Sequence, residues 1–167
     1  MLDIILGNLC SILAMGADSF GSTRKKARDV LLFQALGQLI YGIGAFILKG
    51  YSAVVQNAVS IVRNLAAVGK KRYLALEWIL IILGVVLGLC FNNRGYWGLF
   101  PIAANLEYSL AVFRFRDNER ALNLAYCVCI VLFGIFNGVI LNFVGLIANA
   151  VVLTVTLISI VKSGKSE

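Results

Sequence analysis

The chain has 167 residues, 60% of them hydrophobic and only 14% charged, with a mean hydropathy of +0.91. Soluble domains run at roughly half apolar and a quarter charged, so an ordinary soluble fold is excluded, and the length leaves room for one bundle and no separate soluble domain. The net charge of +7 sits in short loops between apolar runs, which reads as a topology signal rather than a nucleic-acid surface; the absence of His excludes His-based catalysis, His metal sites and His pH switching.

A membrane-spanning helix needs about 20 mostly apolar residues. On that measure seven spans are predicted: Leu2–Ala17, Val30–Leu48, Tyr51–Val68, Leu74–Phe91, Tyr96–Phe113, Ala121–Ile140 and Asn142–Val161. The first is short but lacks the basic leader of a cleaved signal peptide, since only Asp3 precedes its apolar run. Arg24, Lys25, Lys26 and Arg28 follow the first span; Lys70, Lys71 and Arg72 the third; Arg114, Arg116 and Arg120 the fifth; Lys162 and Lys165 the seventh. Only Lys49 and Arg94 lie in the alternate loops. The positive-inside rule then predicts an outer N-terminus and a cytoplasmic C-terminus. Tyr51, Tyr96 and Trp97 form an expected outer aromatic belt, and Tyr73 and Trp78 an inner one.

Spans two–three and six–seven read as copies. Leu39–Val68 aligns without a gap on Val131–Ile160, with Gly42-Ile43 on Gly134-Ile135, Tyr41 on Phe133, and Asn57-Ala58-Val59 on Asn149-Ala150-Val151. Both copies cross in the same direction. A three-helix unit repeated in parallel needs one linking span, so three plus one plus three gives the seven spans that hydropathy predicts. The expected fold is therefore an all-α membrane protein of two parallel three-helix bundles joined by a linker helix. Residues 1–72 form the first bundle, 73–94 the linker, and 95–167 the second bundle with a short cytoplasmic tail. The linker carries a GxxxG, Gly84 to Gly88, that permits close helix contact.

Polar residues inside the spans are the candidate site, because such groups are costly in lipid and often functional. Asn57 and Asn149 occupy matched positions near mid-span. Either they bind helix to helix or they face one central pocket, where two amides would suit a neutral hydroxyl-rich solute. Asn105 on span five, and Gln34 and Gln38 on one face of span two, would widen that pocket or bond to one another and the backbone. Arg63 and Glu107 lie about two turns from the inner ends of their spans. Opposite sign at equal depth predicts an ion pair, either structural or part of a cytoplasmic gate. Asp18 and Glu77 are expected at the inner interface, solvated. Cys10, Cys90, Cys127 and Cys129 lie in or beside apolar spans, and the Cys127-x-Cys129 spacing is not that of a zinc site.

The spans, the repeat and the paired Asn resemble the SWEET, SemiSWEET and PQ-loop superfamily, whose third and seventh helices present an Asn to the substrate; the matching positions here are Asn57 and Asn149. The stretch LGQLIYGIGAFILKGYSAVVQNAVSIVRN is similar, more closely, to the YgjV-type bacterial inner-membrane proteins. The Pro-Gln dipeptide of PQ-loop proteins is absent, and Pro101 is the single proline, where sugar-transporting SWEETs carry four hinge prolines. PnuC-type vitamin transporters are similar in architecture and widen the substrate range.

The resemblance implies a facilitative, alternating-access transporter in the bacterial inner membrane, carrying a sugar, nucleoside or related small polar solute. The alternative is a non-transporting scaffold or interaction protein of the same membrane. No P-loop and no nucleophile–base pair is visible, so no enzyme activity and no cofactor is expected. The expected partners are the lipid bilayer and a small-molecule substrate, not nucleic acid, and homo-oligomerisation is left open.

Overall fold

The computed structural model describes residues 2–69 and 73–163. Lys70, Lys71, Arg72 and Lys165, counted above among the inner-loop charges, lie outside the described residues. Among the described residues seven α-helices follow one another: α1 (Leu2–Ser22), α2 (Ala27–Ile47), α3 (Tyr51–Val68), α4 (Leu74–Cys90), α5 (Leu99–Phe115), α6 (Glu119–Val139) and α7 (Phe143–Ser163). A single 3-10 turn, Gly95–Gly98, leads into α5, and no strand occurs among the described residues.

Four helices, α1, α2, α6 and α7, are long and apolar enough to cross a membrane, and α4 is a shorter apolar helix. Of the other two, α3 is polar on one side. The buried face of α3 is Ser52, Ala53, Gln56, Asn57, Val59, Ser60, Arg63, Asn64 and Ala67, a helical stripe that is mostly polar. The outer surface is the reverse. Leu39, Ile43 and Phe46 of α2, Ile79, Ile82 and Val86 of α4, and Leu124, Val128 and Val131 of α6 are all exposed. Large apolar groups outside and amides inside are what an apolar solvent selects, because buried polar groups must then bond within the bundle.

The helices pack in a closed order. α1 lies against α2 and α7, α2 against α3, α3 against α5, α5 against α6, and α6 against α7, while α4 sits outside on α3 and α5. Bonds between α1 and α7 join Asn8 to Val144 and Ser22 to Thr156, so these two helices run parallel. Gln56 with Asn105 and Arg63 with Ser109 show the same for α3 and α5. Helix α1 continues past the predicted end at Ala17 to Ser22. Its polar last turn is not solvated, since Asp18 is bonded by Tyr126 and Ser22 by Thr156.

The turns between α2 and α3 and between α6 and α7 are the same turn. In the first, Gly50 N–H donates to Ala45 O, Lys49 N–H to Phe46 O and Leu48 N–H to Gly44 O. In the second, Asn142 donates to Asn137, Leu141 to Gly138 and Ile140 to Phe136. Every donor and acceptor is matched at the offset that aligns Asn57 with Asn149. Lys49 (φ 56°) and Leu141 (φ 60°) are the two non-glycine residues in left-handed conformation among the described residues. Helices commonly end on such a residue, and it is usually glycine because a Cβ is strained there. Leu141→Gly and Lys49→Gly should therefore each stabilise the fold by about 1 kcal/mol, read as a rise in the detergent-solubilised unfolding midpoint. A fall at both positions would contradict the turn geometry.

Candidate functional site: a polar cavity between the repeated helix pairs

A cavity lies between α2–α3 and α6–α7. Its walls are Gln38, Tyr41 and Ala45 of α2, Ala53 and Asn57 of α3, Tyr126, Cys129, Ile130, Phe133 and Asn137 of α6, Asn149 of α7, and Asn142 from the turn before it. The walls repeat themselves. Gln38 and Ile130, Tyr41 and Phe133, Ala45 and Asn137, and Asn57 and Asn149 are four pairs at the alignment offset, all in the lining. Each asparagine also stands over the glycine that its repeat supplies. A Cβ on Gly42 would lie 3.4 Å from the Asn57 Cβ, and one on Gly134 would lie 3.8 Å from the Asn149 Cβ. Each glycine thus stands within van der Waals reach of the asparagine on the next helix.

The cavity is tight, and its walls mix amides with apolar groups. Its free volume is about 30 Å³, enough for two or three waters at roughly 10–15 Å³ each. Asn149 Nδ2 makes one long bond, 3.4 Å, to Ile130 O. Gln38 Oε1 and Tyr41 OH are buried without a partner in the protein. Such groups are few in native folds, and each calls for an explanation.

The other candidates go elsewhere. Gln34 is buried on α2 one turn before Gln38, and its Oε1 accepts from Tyr108 OH at 2.6 Å. Asn105 is the hub of a separate network. Its Oδ1 accepts from Arg63 Nη1 (2.6 Å), Ser60 Oγ (2.8 Å) and Ser109 Oγ (3.4 Å), and its Nδ2 donates to Gln56 Oε1 (2.7 Å). Gln56 Nε2 in turn donates to Gly84 O of α4 at 2.8 Å. The GxxxG gives these amides room: a Cβ on Gly88 would collide with Gln56 Nε2, and one on Gly84 would lie 3.2 Å from Asn105 Nδ2.

Arg63 does not take up the ion pair with Glu107 that the sequence suggests. Its guanidinium bonds Asn64 Oδ1 (3.0 Å), Asn105 Oδ1 and Ser109 Oγ (3.0 Å), and lies 4.8 Å from the Tyr108 ring centroid. Glu107 is half-buried, and its Oε2 has no hydrogen-bond partner. Neutral oxygens and an aromatic face satisfy the cation because they sit on the buried stripe of α3 and α5, whereas Glu107 lies toward the rim.

A model of a bacterial inner membrane protein family, Imp-YgjV, matches residues 5–167. The chain belongs to the YgjV family. Together with its apolar helices this makes it an integral protein of the bacterial inner membrane. No curated protein and no solved structure matches it.

Sequence reasoning about this YgjV-family chain missed several residues. Asp18 and Glu77, expected to be solvated, are buried. Tyr126 sits at the repeat position of Gln34, just outside the aligned stretch, and Asn137 and Asn142 look interfacial in a hydropathy trace. Extending the alignment a few residues toward the N-terminus would have paired Tyr126 with Gln34.

The Arg63 geometry gives a sharp contrast between variants. Asn105→Leu strands a buried guanidinium and should destabilise by about 3 kcal/mol or more, whereas Glu107→Gln should leave the unfolding midpoint near wild type. A larger loss from Glu107→Gln than from Asn105→Leu would restore the ion pair.

Proposed function

We propose that this protein is a facilitative, alternating-access carrier of a small neutral polar solute, a sugar, nucleoside or related metabolite. The observation that carries this is the shared lining: Asn57 and Asn149, matched by the internal repeat, face one cavity together with Gln38. A neutral polar solute leaving water must recover its hydrogen bonds, at about 1–3 kcal/mol for each one unmade. Two amides offer donors and acceptors from both halves. At about 30 Å³ the cavity holds nothing larger than water, so a solute needs the halves to part, as alternating access requires.

The matched turns, matched walls and helix order support two parallel bundles, α1–α3 and α5–α7, related about an axis between them, with α4 as the link. Seven crossings follow, and this is the SWEET-like plan. Charge at the two ends supports the orientation. Lys25, Lys26, Arg28 and Arg116 converge around one surface hollow with the end of α3. Asn93, beside Arg94, bonds the Lys49 carbonyl at the opposite end (2.8 Å). The basic end would be cytoplasmic.

Binding is tested by a thermal-shift panel of neutral sugars and nucleosides on the purified protein. A true solute should raise the unfolding midpoint by mass action, and Asn57→Leu or Asn149→Leu should weaken it about tenfold or more while the apo midpoint stays close to wild type. A panel with no binder, or a binder indifferent to both variants, would hand the asparagines to helix–helix bonding and the protein to a scaffold role. For orientation, Arg94→Cys should react with an impermeant thiol reagent on intact cells and Arg116→Cys should not; the reverse pattern would invert the topology.

A further inference from the structure

We propose that Asp18 is a proton site of this protein, holding a proton while the cavity is closed and exchanging it with cavity water through the Tyr126 hydroxyl. Its use in coupling solute to protons rests on the carrier reading above; the protonation itself does not.

Asp18 is 1% exposed, on α1. Its Oδ2 accepts from Tyr126 OH at 2.5 Å, and its Oδ1 has no partner in the protein. The carboxyl group is pressed against Gly37 of α2, where any Cβ would collide with Oδ1. Among the described residues no cation pairs with it. The titratable groups that sense its charge are Tyr41 from α2, Tyr108 from α5, and Tyr126 and Cys129 from α6. On α1 itself, Cys10 and Asp3 are two turns or more away, and α7 carries a single titratable side chain among the described residues, Lys162, beyond the level of the Ser22–Thr156 bond. Arg63 is engaged with Asn64, Asn105 and Ser109. A buried carboxylate with one hydrogen bond and no counter-ion is far more costly than the neutral acid.

The internal repeat gives an independent argument. Tyr126 of α6 occupies the position that Gln34 holds on α2. Asp18 of α1 bonds Tyr126, and Tyr108 of α5 bonds Gln34. These are the same crossing, first helix of one half to second helix of the other. One crossing is a neutral phenol–amide bond; the other puts an acid in that environment. A neutral carboxylic acid is the species that fits there, and unlike the amide it can lose its proton.

The route out is short. Tyr126 and Tyr41 both line the cavity. When the cavity opens, the Tyr126 hydroxyl turns from Asp18 Oδ2 toward a water; the acid's O–H then gives its proton to the Tyr126 oxygen as Tyr126 gives its own to that water. The net step moves one proton from the carboxylic acid to water and leaves a carboxylate that the open cavity solvates.

The test is infrared titration of the full chain in liposomes, following the carboxylic-acid carbonyl band. One band should be present at neutral pH in wild type, absent in Asp18→Asn, shifted in Tyr126→Phe, and lost as pH rises while the protein remains folded. The Tyr126→Phe shift assigns the band even if Asp18→Asn does not fold. An Asp18 already ionised at neutral pH, or a band that stays to the alkaline limit of folding, overturns the proposal. With any solute that wild-type liposomes move, Asp18→Asn should retain exchange and lose accumulation driven by a pH gradient; unchanged accumulation would remove the coupling role. If no solute moves at all, the carrier reading falls and the infrared titration still decides the proton site.

Discussion

Asn105 Oδ1 accepting from Arg63 is the contact on which this bundle is hung. In lipid, a polar side chain has no outside partner of comparable quality, so each must be answered from a neighbouring helix. Arg63 is the most demanding of them, and its donors go to three side chains of α3 and α5. Gln56 and Asn105 use both ends of their amides, and the last link is a backbone carbonyl of α4. Helix α4 therefore docks on polar groups through two glycines as well as on apolar ones such as Leu80. The parallel contact of α3 with α5 joins the two halves of the chain, so the same network fixes how the halves meet on one side.

The cavity region is built on the opposite principle. There the donors and acceptors do not close on one another. Gln38 Oε1, Tyr41 OH and Asp18 Oδ1 have no protein partner, and Asn149 has a single long bond. A satisfied polar network rigidifies, and an open one is left for something else to satisfy. Polar groups of α3, α4 and α5 thus bond to one another, while several that face the seam between α2–α3 and α6–α7 have no partner.

Much of this was legible in the sequence, for physical reasons. The apolar runs located the helices, because nothing else in the chain can span lipid. The run around Asn57 and Asn149 located the cavity walls, because a repeat that conserves a costly residue conserves its surroundings; Gly42 and Gly134 came with it. What failed was pairwise inference from depth. Arg63 and Glu107 were matched by sign and level, but rotation about the helix axis decides contact, and that places Asn105 and Ser109 on the Arg63 side. Asp18 and Glu77 were read as solvated because they end apolar runs, yet neighbouring helices cover them. Polarity alone left Gln34 and Asn105 open between lining the cavity and bonding within the bundle, and tertiary partners decide for the second. The 3-10 turn before α5 has no hydropathy signal, since Tyr96 and Trp97 are apolar enough to read as helix.

The central claim is that the seam between the repeats opens to water. Cys129 is a native reporter for it, being buried and part of the cavity wall. In a variant that keeps Cys129 as its single cysteine, a small water-soluble thiol reagent should label the folded protein in liposomes, and a transported solute should slow the reaction. A Cys129 that stays inert until the protein is unfolded would contradict the account.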